Sequence, residues 1–250
     1  MLQLKNINVW FGSHHILRDI SCTVQQGDFI VIVGTNGSGK TSLFNMIAGA
    51  IAPDTGSIIL DGMDITQLEE YQRAHMITQL FQSTKLNTVG SLTVAQNLAI
   101  ANYSRRRARL INGMNSMPLS TAQELLQTLK INPTVLDKPM QTLSGGQRQL
   151  IAFAMATQLI PKLLLLDEPT AALDPQAATK LLEHTTQFIK KHTLTTLLIT
   201  HDPHIALSIG NKIWVLEHGR ITKQFNLAQK KDLKPEELIG QIDYQKLQQN

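Results

Sequence analysis

The sequence contains a single cysteine, Cys22, among 250 residues. One thiol excludes an internal disulfide bond, and because Cys22 lies in an apolar stretch we expect it to be buried and unreactive. The chain also lacks any uninterrupted apolar run close to the roughly 20 residues that a membrane-spanning helix needs. Its N-terminus alternates apolar and polar residues, so no signal peptide is predicted. These absences favour a protein that folds outside the bilayer in a reducing compartment.

The charges of the chain are nearly balanced. It has 23 basic and 19 acidic residues, and its pI is about 9.2. This small excess gives a mild preference for anionic partners such as phosphates or acidic lipid, and we expect no nucleic acid among the partners. Hydrophobic residues make up 42% and charged residues 17%, which excludes a disordered chain. The length favours one globular unit with a smaller appended lobe.

Alternating strand and helix patterns predict an α/β fold. Short apolar segments, each followed by a polar or glycine-rich turn, are typical of buried strands and occur at Phe29 to Val33, Leu163 to Leu166 and Thr195 to Thr200. Helical patterns occur at Ser42 to Ala50, Gln147 to Ile160 and Pro175 to Lys191. This alternation predicts a mostly parallel sheet, with ligands bound at the carboxyl ends of its strands.

Two further regions depart from this alternation. An antiparallel β portion is predicted from Val9, Ile16, Ile20, Val24 and the run Ile58 to Leu60. Residues 92–136 predict a helical lobe, in which one helix begins at a capping box of Ser120 or Thr121 with Gln123 or Glu124. Ser144 and Asp174, the latter followed by proline, are the predicted N-caps of two later helices.

The segment from Gly34 to Thr41 matches the phosphate-binding pattern G-x-x-x-x-G-K-[ST]. It lies between the first apolar strand and a helical pattern, which is the context that the chemistry requires. Glycines let backbone N–H groups surround phosphate oxygens, while Lys40 reaches the β- and γ-phosphates and Thr41 supplies a hydroxyl to Mg²⁺. The pattern predicts a nucleotide site, but alone it leaves kinases, GTPases and many ATPases open.

A pair of carboxylates follows the second apolar strand. Asp167 comes directly after the leucine run, where it is placed to hold Mg²⁺, usually through water. Glu168 lies beside it and is the candidate that orients and deprotonates the attacking water. A solvated strand end is the alternative, and the phosphate loop upstream makes it the weaker one.

The segment Leu143-Ser144-Gly145-Gly146-Gln147 narrows the family. Together with the phosphate loop and the Asp167-Glu168 pair, it resembles the ATP-binding cassette (ABC) ATPases, in which LSGGQ is the signature sequence. The resemblance extends over nearly the whole chain. Physical chemistry agrees with it, because Ser144 and two glycines at a helix start expose a hydroxyl and N–H donors to a phosphate.

The resemblance gives roles to several polar residues. Gln82 resembles the Q-loop glutamine, which senses metal and water and links to the membrane subunit, and Gln79 is the weaker candidate. Residues 171–174 resemble the D-loop. His201, just after the third strand, resembles the switch histidine that contacts the γ-phosphate.

Aromatic and histidine side chains near the N-terminus concern the nucleotide base and a possible metal. Phe11 stands where the family carries an aromatic residue that stacks on adenine, and neighbouring Trp10 is the alternative. His14 and His15 lack a spaced third or fourth ligand, so they are not predicted to bind metal and are expected in a loop.

The resemblance implies one ABC ATPase domain over residues 1–250 that binds ATP and Mg²⁺. Its expected parts are a nucleotide-binding α/β core with the β portion (1–82 and 160–226), a helical lobe with the signature (83–159) and a C-terminal tail (227–250). The residues implied to bind nucleotide are Phe11, Gly34, Thr35, Asn36, Gly37, Ser38, Gly39, Lys40, Thr41, Ser42, Ser144, Gly145, Gly146, Gln147 and Asp174. The implied catalytic residues are Lys40, Gln82, Glu168 and His201, and the implied Mg²⁺ ligands are Thr41, Gln82 and Asp167.

The resemblance also implies partners and a function. Two cassettes of this family pair head to tail around ATP, so we expect a homodimer or a pair with another ATPase subunit. Integral membrane permease subunits and an extracytoplasmic substrate-binding protein would complete the system, with this chain on the cytoplasmic face of the inner membrane. Three features are similar to those of bacterial importer ATPases for small solutes such as amino acids, including aromatic ones. They are the run of Gln82, Asn87, Thr88, Val94 and Asn97, the segment 171–175 and the short C-terminus.

Other functions fit the sequence less well. A soluble ABC ATPase of DNA repair separates its phosphate loop and signature by a long coiled coil, for which Lys40 and Ser144 are too close in sequence. A GTPase usually carries an N-K-x-D motif, and the segment Asn211-Lys212-Ile213-Trp214 lacks the aspartate. A non-hydrolysing module would be expected to lack Glu168 or His201. A non-transport ABC ATPase and an exporter subunit are the alternatives that stay open.

One segment is expected to transmit the state of the nucleotide to the permease. Residues 82–94 lead from the Q-loop into the helical lobe, and in the family's arrangement they lie against a cytoplasmic helix of the permease. The cluster Arg105-Arg106-Arg107-Ala108-Arg109 lies beyond them and is either a contact with anionic lipid or a solvated helix face. We expect the loop, and not the arginines, to couple the two subunits.

Overall fold

The computed structural model describes residues 1–103 and 117–243, so the arginine cluster at 105–109 lies outside the described residues. The strands are β1 Leu2–Phe11, β2 His14–Val24, β3 Phe29–Val33, β4 Thr55–Leu60, β5 Met63–Asp64, β6 Ile77–Leu80, β7 Leu163–Asp167, β8 Thr195–Ile199, β9 Lys212–Glu217 and β10 Arg220–Phe225. The helices are α1 Lys40–Ala48, α2 Glu70–Arg73, α3 Thr84–Asn87, α4 Val94–Tyr103, α5 Leu119–Thr128, α6 Gly145–Thr157, α7 Pro175–His192, α8 Pro203–Ser208, α9 Leu227–Asp232 and α10 Pro235–Asp243. Short 3₁₀ turns lie at Pro133–Val135 and Met140–Thr142.

The N-terminal strands form an antiparallel sheet in the order β2-β1-β4-β5, which confirms the predicted β portion. Apolar side chains that alternate along β1 and β2 enter the core, because successive residues of a strand face opposite sides. The turn between β1 and β2 holds only two residues, so His14 and His15 begin β2 and the expectation of a loop was wrong. Cys22 packs against this core, and burial raises the pKa of its thiol to about 12.

The second sheet has the order β10-β9-β3-β8-β7-β6. Its β3, β7, β8 and β9 strands pair in parallel, and β10 pairs with β9 in the antiparallel direction. Every residue of β3, β7 and β8 is buried, as expected for strands covered on both faces. The predicted mostly parallel sheet is therefore confirmed, with the ends of these three strands within one residue of those expected.

The chain divides into two compact units. The first contains residues 1–79, 162–168 and the described chain from residue 189, which include the antiparallel sheet and most of the parallel one. The second contains the described parts of residues 80–161 together with residues 169–188, which are largely helical. No helix of the described residues is long and apolar enough to cross a membrane.

Helix starts in the second unit show which local signals decide them. The Asp174 carboxylate accepts the N–H of Ala177 at 2.9 Å, and Ser144 forms a capping box with Gln147, so both predicted caps are confirmed. The predicted capping box near residue 120 was wrong. Instead Pro118 is the N-cap, and α5 begins at Leu119 without a side-chain cap. The residue before a proline is disfavoured in a helix, so α5 cannot extend further toward the N-terminus.

Candidate functional site

The phosphate-loop segment joins β3 to α1 in the first unit. A side chain at Gly34 would place its Cβ 2.1 Å from the carbonyl oxygen of Leu216, so only glycine fits where the loop leaves the strand. Gly39, at the N-terminus of α1, has a φ of 101°, a left-handed conformation that glycine adopts freely. The loop therefore reaches α1 with its backbone exposed to a ligand and with the positive end of the helix dipole behind it.

Lys40 is buried at the first turn of α1. Its ammonium donates hydrogen bonds to the carbonyl oxygens of Gly34 at 2.9 Å and Thr35 at 2.8 Å. Burial lowers the pKa of Lys40, while the nearby carboxylates of Glu168 and Asp167 act in the opposite direction. The cation is thus held over the loop by neutral carbonyl groups, which phosphate oxygens can replace as stronger, charged acceptors.

The Ser38 hydroxyl is the best internal indication of an absent ligand in this loop. The residue is only 3% exposed, and within the described chain its hydroxyl oxygen has no hydrogen-bond partner. A buried polar group without a partner is rare and needs an explanation. A phosphate in the loop would supply the missing acceptor, so the residues present fit a nucleotide.

Asp167 is the last residue of β7, and its carboxylate is buried. Burial raises its pKa, and the adjacent Glu168 raises it further, whereas a hydrogen bond with the Thr41 side chain and the charge of Lys40 lower it. A hydroxyl and a carboxylate in contact provide the oxygen ligands that Mg²⁺ prefers. These residues therefore fit the metal that was predicted from the sequence.

Glu168 and His201 lie side by side, because β7 and β8 pair with Asp167 opposite Ile199. The Oε2 atom of Glu168 is 3.1 Å from Nδ1 of His201, and the Glu168 N–H donates to the Ile199 carbonyl at 3.1 Å. Glu168 also has a φ of 43°, which is uncommon outside glycine. The His201 side chain is 63% exposed, so the pair opens to solvent.

The aromatic candidates for base stacking differ in their surroundings. The Trp10 ring is stacked on His15, with centroids 4.1 Å apart and planes 13° from parallel. Phe11 is 49% exposed at the end of β1. The phosphate loop is close to this hairpin, since a Cβ at Gly39 would lie 3.1 Å from the carbonyl oxygen of Ile16. Phe11 is thus the more accessible ring, and its role stays a prediction.

Most of the remaining predicted residues belong to the second unit. Gln82 is exposed two residues after β6, whereas Gln79, within β6 in the first unit, donates to the Asn45 side chain at 3.3 Å. The signature segment forms the start of α6, where the side chain of Gln147 accepts the N–H of Ser144 at 3.3 Å. Asp174 caps α7. The part that these residues play in binding nucleotide stays a prediction.

The structure also gives roles that the sequence motifs did not reveal. Gly146 packs against α7, since a Cβ there would lie 2.6 Å from the Cβ of Ala177. Gly219, between β9 and β10, donates its N–H to the Ser38 carbonyl at 3.0 Å. A glycine between two strand patterns is a sequence signal for a turn. It does not indicate that the turn reaches a phosphate loop.

The first unit therefore places a glycine-rich loop, a buried lysine, two carboxylates and a histidine at the carboxyl ends of β3, β7 and β8. This arrangement defines a phosphate-loop nucleotide-binding site. A family model described as "ABC transporter" matches residues 17–171, which is more than half of the chain. A second model, described as an AAA domain of a putative AbiEii toxin of type IV toxin–antitoxin systems, matches the shorter segment 136–208.

Similar proteins agree with the first family. The chain is 34% identical to a tyrosine transport ATP-binding protein of Clostridioides difficile over 98% of this chain and 99% of that protein. It is 33% identical to a glutamate/glutamine/aspartate/asparagine transport ATP-binding protein of Rhodobacter capsulatus, over 90% and 83%. A solved dimeric ATP-binding cassette, in a post-hydrolysis state with ADP and phosphate, has a TM-score of 0.78 and 26% identity over 91% and 99%. Some relatives are longer, and the chain spans 58% of a spermidine/putrescine import ATP-binding protein of Chromobacterium violaceum.

The chain belongs to the ABC transporter family, as an ATP-binding subunit with the cassette fold. It binds ATP and is an ATPase, as the resemblance in the sequence implied. The predicted fold class, a phosphate-loop core with an antiparallel β portion and a helical part, is confirmed.

Proposed function

We propose that this chain hydrolyses ATP to drive import of a small solute, such as an amino acid, through a membrane permease. The observation that supports hydrolysis best is the pair of Glu168 and His201 beside the buried Asp167 and Lys40. The full-length similarity to a tyrosine transport ATP-binding protein supports an amino acid, including an aromatic one, as the solute.

The candidate site residues of the first unit each have a role in this proposal. The phosphate loop, from Gly34 to Ser42, binds the phosphates through its N–H groups, and Lys40 turns its ammonium from the loop carbonyls to the β- and γ-phosphates. Thr41 and Asp167 would hold Mg²⁺, which would neutralise phosphate charge. Glu168 orients a water and takes its proton, while His201 fixes the Glu168 carboxylate and reaches toward the γ-phosphate.

We also propose that the active form contains two cassettes. The solved cassette that resembles this chain is dimeric, which supports a pair here. In that pair Ser144 to Gln147 of one copy would face the phosphate loop of the other. The predicted motif residues are intact in this sequence, so a homodimer would have two competent sites. Permease subunits would hold the pair at the cytoplasmic face of the inner membrane, and an extracytoplasmic binding protein would deliver the solute.

Reconstitution tests the proposal directly. The chain is co-expressed with a permease and a binding protein found among the neighbouring genes, and the complex is reconstituted in liposomes. ATP and Mg²⁺ are supplied on the side of the membrane where the cassette lies. Uptake is compared for labelled tyrosine, glutamate, spermidine and sulfate. We expect ATP-dependent uptake of an amino acid, with none for Lys40→Ala. ATP-driven efflux would indicate an exporter. ATP hydrolysis by a chain that co-purifies with no permease would indicate a non-transport ATPase.

A further inference from the structure

The turn between β9 and β10 holds a buried residue, although hairpin tips usually lie at the surface. We call residues 217–220 the clamp turn. Its central residues have positive φ values, 46° at His218 and 78° at Gly219, as in the tight two-residue turns that join antiparallel strands. His218 is exposed, whereas Gly219 is buried. The turn therefore points its glycine into the molecule.

Gly219 joins two parts of the first unit through its backbone. Its N–H donates to the carbonyl oxygen of Ser38 in the phosphate loop at 3.0 Å. Its carbonyl oxygen accepts the N–H of Arg18 in β2 at 2.8 Å. A single residue thus ties the phosphate loop to the hairpin of β1 and β2.

The packing around this junction leaves no room for a side chain. A Cβ at Gly219 would lie 2.2 Å from the carbonyl oxygen of Ile16. A Cβ at Gly39, on the phosphate loop, would lie 3.1 Å from the same oxygen. The three backbones of the loop, the clamp turn and β2 are therefore in direct contact, and a displacement of one must move the others.

We propose that the clamp turn sets the distance between the phosphate loop and the base-stacking ring, and that Gly219 is its positioning residue. The hairpin pairs Val9 with Leu17 and Phe11 with His14, so fixing β2 at residues 16–18 fixes the Phe11 end of β1 as well. The clamp turn thereby favours a ligand whose base and phosphates are as far apart as those of ATP. This inference rests on the proposed function and on the predicted role of Phe11 as the ring that stacks on adenine.

Two alanine variants separate the clash from the strain of the turn. Gly219→Ala introduces both a positive-φ alanine and the collision with Ile16. Gly62→Ala is the matched control, because Gly62 has a φ of 80° in the turn between β4 and β5 but a Cβ there would meet no atom within 4 Å. We expect Gly219→Ala to weaken ATP binding on the order of tenfold, because a misplacement of ~1 Å costs up to about 10²-fold in a reaction that depends on the same kind of positioning. Gly62→Ala should lose stability but retain ATP affinity within about twofold.

A double-mutant cycle with Phe11→Ala supplies the readout that a merely structural role would not move. If the clamp turn sets the spacing, Phe11→Ala should weaken ATP binding by about 5–150-fold in the wild-type background and much less in the Gly219→Ala background. Additive losses would overturn the clamp, while wild-type ATP hydrolysis would still support the proposed function. Absence of ATP hydrolysis in the wild-type reconstituted transporter would instead overturn the proposed function.

Amide hydrogen exchange on the wild-type protein keeps the inference testable if Gly219→Ala does not fold. Bound ATP should slow exchange at the N–H groups of Gly219 and Arg18, because both bonds belong to the junction that the nucleotide stabilises. The N–H of Ile65, which donates to Ile58 at 2.9 Å in the β4–β5 hairpin, serves as the control and should change little. Equal exchange at Gly219 with and without ATP would refute the clamp.

Discussion

Replacing Glu168 with glutamine tests whether its carboxylate is the general base. The amide has the same shape, and its oxygen still accepts a hydrogen bond from His201 over the 3.1 Å that separates the two side chains. Glutamine also leaves the backbone at a φ of 43°, whereas glycine would relieve that strain. The change therefore removes the proton acceptor and one negative charge, while the shape of the side chain is kept.

The expected loss follows from what a positioned base contributes. General-base catalysis is worth about 10²–10⁴-fold, and since each tenfold is about 1.36 kcal/mol, the barrier should rise by roughly 3–5 kcal/mol. ATP affinity should be unchanged within about twofold, because Lys40 and the phosphate loop are intact. Removing one negative charge beside Asp167 favours the bound nucleotide, if anything. ATP should then hold two copies together.

The assay is steady-state phosphate release together with ATP titration and sedimentation of the ATP-bound protein. Glu236→Gln is the matched control, because it makes the same chemical change at an exposed residue of α10. Hydrolysis by Glu168→Gln at the wild-type rate would refute the role of base. A loss of ATP binding as large as the loss of turnover would show instead that the carboxylate supports the loop.

Three further changes test other parts of the molecule. Phe11→Ala should weaken ATP binding by about 1–3 kcal/mol. Trp10→Ala should weaken it by less, because the Trp10 ring already stacks on His15. Nucleotide titration compares the two variants, and a larger loss for Trp10→Ala would reverse the assignment. Leu86 on α3 is 69% exposed, and Leu86→Glu should stop co-purification with the permease while ATP affinity is retained. The control Leu227→Glu on α9 should leave assembly with the permease intact. Normal assembly of Leu86→Glu would exclude α3 from the contact. Burial lowers the pKa of Lys230 from 10.5 to about 8, so the unfolded chain binds more protons between these pH values and the free energy of unfolding should rise from pH 8 to 10.5. The free energy of unfolding of Lys230→Met, measured by urea denaturation, should lack this rise. An unchanged pH dependence in this variant would show that the lowered pKa of Lys230 is not its cause.

The strands that carry the site were predictable because their signal is local. β3 is wholly apolar, β7 is four leucines before Asp167, and β8 is two threonines before three apolar residues. Each ends at a polar or glycine-rich turn, as expected for a short strand that is buried on both faces. The motif residues follow these strands directly, so their meeting at one sheet edge follows from parallel pairing. The start of α5 was predicted too late in the sequence, because Pro118 is its N-cap and not Ser120 or Thr121.

The physical reason for each glycine was not predictable in the same way. The pattern explains Gly145 and Gly146 alike by backbone donors for phosphate. In the structure a Cβ at Gly146 would collide with α7, while one at Gly145 would meet its nearest neighbour at 3.5 Å. Gly219 belongs to no phosphate motif, yet it bonds the phosphate loop. Such contacts depend on residues far apart in sequence, which no local pattern reveals.

The coupling segment gains a more specific interpretation from its hydrogen bonds. Asn87, at the end of α3, accepts the N–H of Phe81 at 2.9 Å and donates to the Phe81 carbonyl at 2.8 Å. It closes the turn that carries Gln82, so replacing it would distort the Q-loop as well as any surface. The Leu86 side chain is apolar and exposed, so it closes no such turn. A permease contact is therefore better tested at Leu86 than at Asn87.

The C-terminal segment, expected to be a short tail, forms α9 and α10 in the first unit. The buried ammonium of Lys230 donates to the carbonyl oxygens of Ile209 and Gly210, at the C-terminal end of α8. The Asp202 carboxylate caps the other end of α8 by accepting the N–H of His204 at 2.8 Å. A cation at the C-terminus and an anion at the N-terminus each interact favourably with the helix dipole. Because Asp202, the N-cap of α8, directly follows His201, these two charges help to fix the segment from which that histidine reaches Glu168.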